Sequence, residues 1–234
     1  MKSAATVARN SVWLIAQPLI MGVTSLVVTA LIARHLGAND YGILLLLLSY
    51  AALFSPISNL GLRPYSVREI AVSRERALEI VEDMLVLRFS LALVAVVIVA
   101  IYLGLVTDQI PLQLVALLVL QLVFNALAGC FIDGLCGVES MKSVATSMGA
   151  SGIVVQITSV LAIALNGDLL GVVGAYTLGS AAMLCISWYL FSKLVGAFTL
   201  RRLHHHHWRH IQKSWTFLLQ NLVGTVRARI DVVL

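Results

Sequence analysis

Apolar residues run along this chain in long continuous stretches, not at the two-residue or 3.6-residue spacing of a half-buried strand or helix. Seven stretches of 21 to 24 residues, 11–33, 41–62, 84–106, 110–132, 143–165, 169–192 and 214–234, cover 159 of the 234 positions and hold only four Lys, Arg, Asp or Glu side chains. The other 75 positions hold twenty-three. A helix rises about 1.5 Å per residue, so about 20 residues cross a hydrocarbon core about 30 Å thick. Runs such as Ile43 to Leu48 and Leu91 to Ile101 do not alternate as the strands of a membrane barrel do, so helices are predicted, each satisfying its own backbone within lipid. The expected fold class is an all-α polytopic membrane protein with seven transmembrane helices.

Composition changes the picture only by closing alternatives. The chain is 60% hydrophobic and 12% charged, whereas a soluble domain carries roughly a quarter charged residues; a soluble globular protein is excluded. The first apolar run follows a basic start, Lys2 and Arg9, but it is too long for a signal peptide and is read as a retained span. Basic residues are one-sided. Thirteen (Lys2, Arg9, Arg63, Arg68, Arg74, Arg76, Arg88, Lys142, Lys193, Arg201, Arg202, Arg209 and Lys213) fall on one side of the predicted spans and only Arg34 on the other. The positive-inside rule assigns the thirteen to the cytoplasm, which places the N-terminus there and the protein in the inner, cytoplasmic membrane. The pI of about 9.4 then reflects topology, and no nucleic-acid partner is implied. Segment 63–83, with Val67, Ile70, Ala71, Leu78 and Val81 at helical spacing among charges, is predicted to be one amphipathic helix on the membrane surface.

An ionisable side chain at mid-helix costs about 2.5 to 3.5 kcal/mol on insertion scales, so those that persist face protein or water. The seventh stretch concentrates them. Thr216, Gln220, Gly224, Arg227 and Asp231 recur at steps of three and four, one stripe of a helix turning about 100° per residue, with Arg227 and Asp231 close enough to pair. This arrangement suits a fixed cation and its counter-charge in a water-filled cavity, or a structural ion pair between helices; Arg229, on another face, either snorkels or contributes. Asn10, Gln17 and Thr24 repeat the stripe without charge in the first stretch, and Gln121 and Asn125 in the fourth, with Asp133 at its cytoplasmic end; helix-to-helix hydrogen bonding explains such groups as readily as a transport path. Pro18 and Pro56 are candidate bends. Small residues crowd the fifth and sixth stretches, including Gly167-x-x-x-Gly171, and predict tight antiparallel packing. The histidines at 204–207 and His210 lack nearby Asp, Glu or Cys to close a metal site, and three cysteines, Cys130, Cys136 and Cys185, lack a disulfide spacing. No phosphate-binding glycine loop or nucleophile motif is present, so no cofactor and no enzymatic activity are expected.

Several short motifs, in order, carry a resemblance. Asn10, Ser11 and Trp13 lead to Ala33-Arg34-His35-Leu36-Gly37 and Asp40-Tyr41-Gly42; Asn59-Leu60-Gly61-Leu62 and Val67-Arg68-Glu69-Ile70 follow, and Ser214-Trp215 runs to Arg229-Ile230-Asp231. Together the sequence resembles the N-terminal half of polysaccharide (O-antigen type) flippases of the multidrug/oligosaccharidyl-lipid/polysaccharide exporter superfamily. The resemblance implies two six-helix lobes related as parallel repeats. It makes 1–200 the N-terminal lobe, 201–213 the cytoplasmic inter-lobe loop and 214–234 the first helix of a second lobe, and the chain is expected to be a fragment of a transporter.

The same resemblance implies a lipid-linked oligosaccharide flipped between leaflets for polysaccharide biosynthesis, with membrane lipids and a coupling cation as further partners. Arg227 and Arg229 would attract the anionic headgroup, Asp231 would hold Arg227, and Gln220, Gln17, Asn10 and Thr24 would line the path. Three rivals stand beside it, one of them a purely structural assembly subunit. A cation-coupled drug antiporter needs a carboxylate at depth, which the first six stretches lack, and a membrane glycosyltransferase, ligase or polymerase needs acid, base or nucleophile groups near the headgroups, for which only Asp133, Glu139 and the histidine run qualify.

Overall fold

A computed structural model of the chain describes residues 4–59, 62–106 and 110–196, and within them the apolar stretches fold as helix with no strand. In chain order the helices are α1 (Ala4–Asn59), α2 (Leu62–Val72), α3 (Ala77–Val106), α4 (Leu112–Gly137), α5 (Met141–Ala164) and α6 (Leu169–Val195), with one 3-10 turn at Arg74–Arg76. Helix α1 is two arms meeting at Gly37, whose φ of 75° and ψ of 179° belong to a backbone region reserved for glycine. The predicted loop between the first two stretches is therefore a one-residue corner. His35 Nε2 lies 2.9 Å from the Gly167 carbonyl oxygen, tying this corner to the α5–α6 turn. The helical backbone continues through Pro18 and Pro56, so the change of direction falls at neither predicted bend.

The helices form a bundle in which α6 packs on α5 and, running parallel to it, on α4, while α3 packs on α4 and α5 on α1. Small residues allow the close approaches. A Cβ on Gly171 would touch that of Ala162 at 3.4 Å, and one on Gly179 would overlap Val155, so the expected tight pairing of the fifth and sixth stretches is present as α5 and α6. Thr177 Oγ1, which donates to the Val173 carbonyl of its own helix at 3.1 Å, also lies 3.3 Å from the Leu117 carbonyl of α4, a shared polar contact between helices.

Two apolar cores result. One joins α2, α3, α4 and α6 at the basic end through Tyr65, Ile70, Met84, Leu135 and Phe191. The other joins both arms of α1 to α3, α4 and α6 through Ile32, Leu44, Val99, Leu118 and Val172.

Two expectations are not met as stated. Among the described residues four helical stretches are long and apolar enough to cross a membrane, Met21–Ser55, Leu112–Gly137, Met141–Ala164 and Leu169–Val195, the two arms of α1 counting as one; seven spans are not confirmed, and the stretch 214–234 lies outside the described residues. Segment 63–83 is also not one surface helix. It breaks at Ser73, and Ala77 onward is the start of α3, where Ala77, Ile80, Val81 and Met84 are buried. The charges there mark the headgroup end of a long helix, a boundary that hydropathy alone places too late.

Candidate functional site

Between the first arm of α1, α5 and α6 lies a cavity of about 460 Å³ lined by thirteen residues, among them Met21, Ser25, Thr29, Met148, Gln156, Ser159, Tyr176 and Met183. Helical geometry explains the lining: Met21, Ser25, Val28 and Thr29 recur at steps of three and four on α1, and Met148, Ser151, Gly152, Val155 and Ser159 do so on α5, so each helix turns one stripe inward. Across the cavity Gly152 lies close enough to α1 that a Cβ there would meet Met21 Sδ at 3.1 Å. No charged side chain appears among the described residues of this lining.

Two of its five hydroxyls are turned back onto their own helices. Ser25 Oγ donates to the Gly22 carbonyl and Ser151 Oγ to that of Met148, each at 2.9 Å. Gln156 Nε2 donates to Thr24 Oγ1 at 3.0 Å, joining α5 to α1. Ser159 differs, being fully buried with no hydrogen-bond partner for its Oγ among the described residues.

Of the residues expected to form the substrate path, Thr24 is thus at the cavity edge, exposed and bonded to a lining residue. Asn10 and Gln17 fall on the helical backbone of α1, but their side chains lie outside the described residues, as do Gln220, Arg227, Arg229 and Asp231. In α4 the structure separates the two amides: Gln121 is buried and Asn125 exposed.

A second polar constellation sits at the basic end. Arg88 of α3 donates through Nη2 to Asp133 Oδ2 of α4, and Arg63 of α2 approaches Asp133 Oδ1 with its Nε at 3.3 Å. The side chains of Arg88 and Asp133 are 1% and 3% exposed, whereas Arg63 is 63% exposed. Two guanidiniums thus share one carboxylate, which leaves this carboxylate a poor seat for a metal or coupling cation. Chemically the group holds three helices together, because breaking a buried pair leaves a charge without compensation. Close packing surrounds it: a Cβ on Gly134 would lie 2.5 Å from Phe191 Cε2, and one on Gly137 would lie 2.6 Å from the Cβ of Ile70.

The family of polysaccharide biosynthesis proteins matches residues 7–234. The chain belongs to this family. No curated protein and no solved structure matches it. As a polysaccharide biosynthesis protein built from long apolar helices, it is a multi-pass membrane protein.

Within this family member the Arg63–Arg88–Asp133 knot is what sequence reasoning missed. Arg88 counts in the sequence simply as one more cytoplasmic charge, yet it lies between Leu87 and Phe89 inside an apolar run, and Asp133 closes the next run at the same membrane depth. Opposite lone charges at matching depth on consecutive antiparallel helices were the available signal. No group of three or more His, Cys, Asp or Glu residues able to hold a metal occurs among the described residues; the histidines at 204–207 and His210 lie outside them. Cys130, Cys136 and Cys185 are free thiols.

Proposed function

We propose that this protein is a flippase component that moves a lipid-linked oligosaccharide across the cytoplasmic membrane, N-terminus inside, for polysaccharide biosynthesis. The observation that carries the reading is the family match over 7–234, whose members are generally transporters. The physical task is to bring a hydrated glycan and an anionic headgroup through hydrocarbon, which fixed cations and neutral hydrogen-bonding groups make less costly. In this reading Arg227 and Arg229 meet the pyrophosphate, Asp231 orients Arg227, and Gln220, Gln17, Asn10 and Thr24 meet the sugar. A coupling cation belongs to the same proposal, bound elsewhere than at Asp133.

Reconstitution tests it. The purified chain is placed in liposomes with a polyprenyl-pyrophosphate oligosaccharide carrying a fluorophore, and an impermeant quencher reports the leaflet. Retention of the labelled lipid by the protein, with the lipid's mass unchanged, is expected, and transfer faster than in protein-free vesicles when a second lobe of the same family is reconstituted with it. A folded protein that does neither, or that changes the mass of the labelled lipid, contradicts the proposal; the second outcome favours a transferase or polymerase.

A further inference from the structure

We propose that the open groove between the first arm of α1, α5 and α6 seats residues 214–234 of the same chain, with Gly224 set against Gly22 and Arg227 donating to Gln156. This stands whether or not the protein moves lipid-linked sugar, since it concerns which segment covers the groove and is read out without substrate.

The groove lies on the least covered side of the bundle. Of their most apolar stretches, 11% is buried for Met21–Ser55 and 22% for α5, against 39% for α4 and for α6. Leu19, Val23 and Leu26 are exposed beside it, as lipid contact allows, but Gly22, Thr24, Ser25 and Thr29 are exposed with them. Small and hydroxyl-bearing residues on one face of a membrane helix favour a second helix over acyl chains, because backbones approach closely there and polar groups find partners. Gln156 makes the demand specific. Its Nε2 donates to Thr24 Oγ1 at 3.0 Å, while its Oε1 accepts no hydrogen bond among the described residues. An amide oxygen left open at this depth calls for a donor, and acyl chains supply none.

The chain itself brings a donor within reach. Helix α6 borders the groove through Tyr176 and Met183 and ends at Val195, so the chain leaves the bundle one helix spacing from the groove, about 8–10 Å. The seventeen residues 197–213 cross that distance easily at about 3.3 Å per extended residue. A span that follows them runs opposite to α6 and parallel to α5 and the first arm of α1. Tethering raises its local concentration to about the millimolar range, an advantage that a helix of another chain lacks.

Depth sets the register. Lys142 and Lys213 are the last basic residues before their apolar runs, and Gln156 and Arg227 each lie fourteen residues further on, about 21 Å along a helix. Gly152 and Gly224 lie ten and eleven residues past the same lysines. At that level a Cβ on Gly152 would already meet Met21 of α1 at 3.1 Å, whereas one on Gly22 would meet nothing within 4 Å. Gly22 therefore leaves room for a third backbone, and Gly224 is the residue without a side chain on the stripe that carries Arg227.

Disulfide trapping tests the seating. The full chain, with Cys130, Cys136 and Cys185 changed to Ala, is placed in nanodiscs and oxidised with copper phenanthroline. Ser25→Cys combined with Ala228→Cys is expected to form a bond within one chain at least fivefold more than Val94→Cys, on the exposed face of α3, combined with Ala228→Cys. Should the first pair fail to fold, Gly22→Cys with Gly224→Cys, about one turn earlier on both helices, takes its place. Gly22→Leu is expected to lower the yield of the first pair at least threefold. Gln156→Leu is expected to lower it about threefold and Gln156→Glu, which keeps an acceptor for Arg227, to retain it. The bond forms without substrate, so its absence and the absence of transport are separate results. A yield no higher than that of the α3 pair, a yield indifferent to Gly22→Leu and Gln156→Leu, or a bond between two chains in place of one within a chain would overturn the proposal.

Discussion

Around Asp133 three helices meet with no space left over: a carboxylate, a buried guanidinium and a second guanidinium at the surface are packed among Tyr65, Phe191 and glycines that tolerate no Cβ. Between the first arm of α1 and α5 the same kind of helix leaves a cavity of about 460 Å³, and the bond that joins the two helices is neutral, from Gln156 to Thr24. The difference lies in what each contact fixes. A buried ion pair tolerates almost no displacement, because separating the partners strands a charge, whereas methionine, serine and amide contacts can be remade at small cost after a shift. The basic end thus fixes α2, α3 and α4 to one another, and the α1–α5 side is where the bundle is held less tightly.

Substitutions can break this contrast, and the largest effect is expected at the knot. Asp133→Ala should destabilise the protein by about 3–5 kcal/mol, since it leaves Arg88 buried without a counter-charge; the readout is the melting temperature of purified protein in detergent. The double change Arg88→Met with Asp133→Leu should recover most of that loss, because well-packed apolar residues substitute for a buried pair at little cost. If the single and double variants melt alike, the pair is not what holds α3 to α4.

Next in size is the corner. Gly37→Ala should cost about 1–3 kcal/mol through its disfavoured backbone conformation, a value separable from packing because no atom lies within 4 Å of the added Cβ. Arg74→Ala removes the exposed pair with Glu139, whose atoms are 2.5 Å apart, and should change stability by about 0–1 kcal/mol in the same melt. Gly22→Leu in the cavity, where an added Cβ meets nothing within 4 Å, should leave the melting temperature least affected. A loss as large as that of Asp133→Ala would mean that the cavity side is as tightly specified as the knot.

Much of this architecture was legible in the sequence, for identifiable reasons. Long runs without charge mark α4, α5 and α6 within a few residues, because transfer into hydrocarbon penalises every charge in them. Gly171 and the small residues near it announce the α5–α6 contact. Thr24, singled out by its spacing from Gln17, does lie beside the cavity, although spacing could not say that its partner would be Gln156 on α5. What the pattern hid are contacts between segments distant in sequence. Ser73 ends a helix where hydrophobic periodicity continues through to Val81, and Gly37 makes a corner that a seven-residue polar gap had suggested was a loop. Counting charges by side of the membrane placed Arg63 and Arg88 together, although one is solvated and the other buried against Asp133. The stripe from Thr216 to Asp231, which carried most of the expected substrate site, lies outside the described residues.

Hydrogen–deuterium exchange of the protein in nanodiscs tests the contrast most directly. The account predicts slow exchange at 81–88 and 130–137 and faster exchange at 21–29 and 152–160. Equal exchange in the two regions, or slower exchange beside the cavity than at the knot, would contradict it.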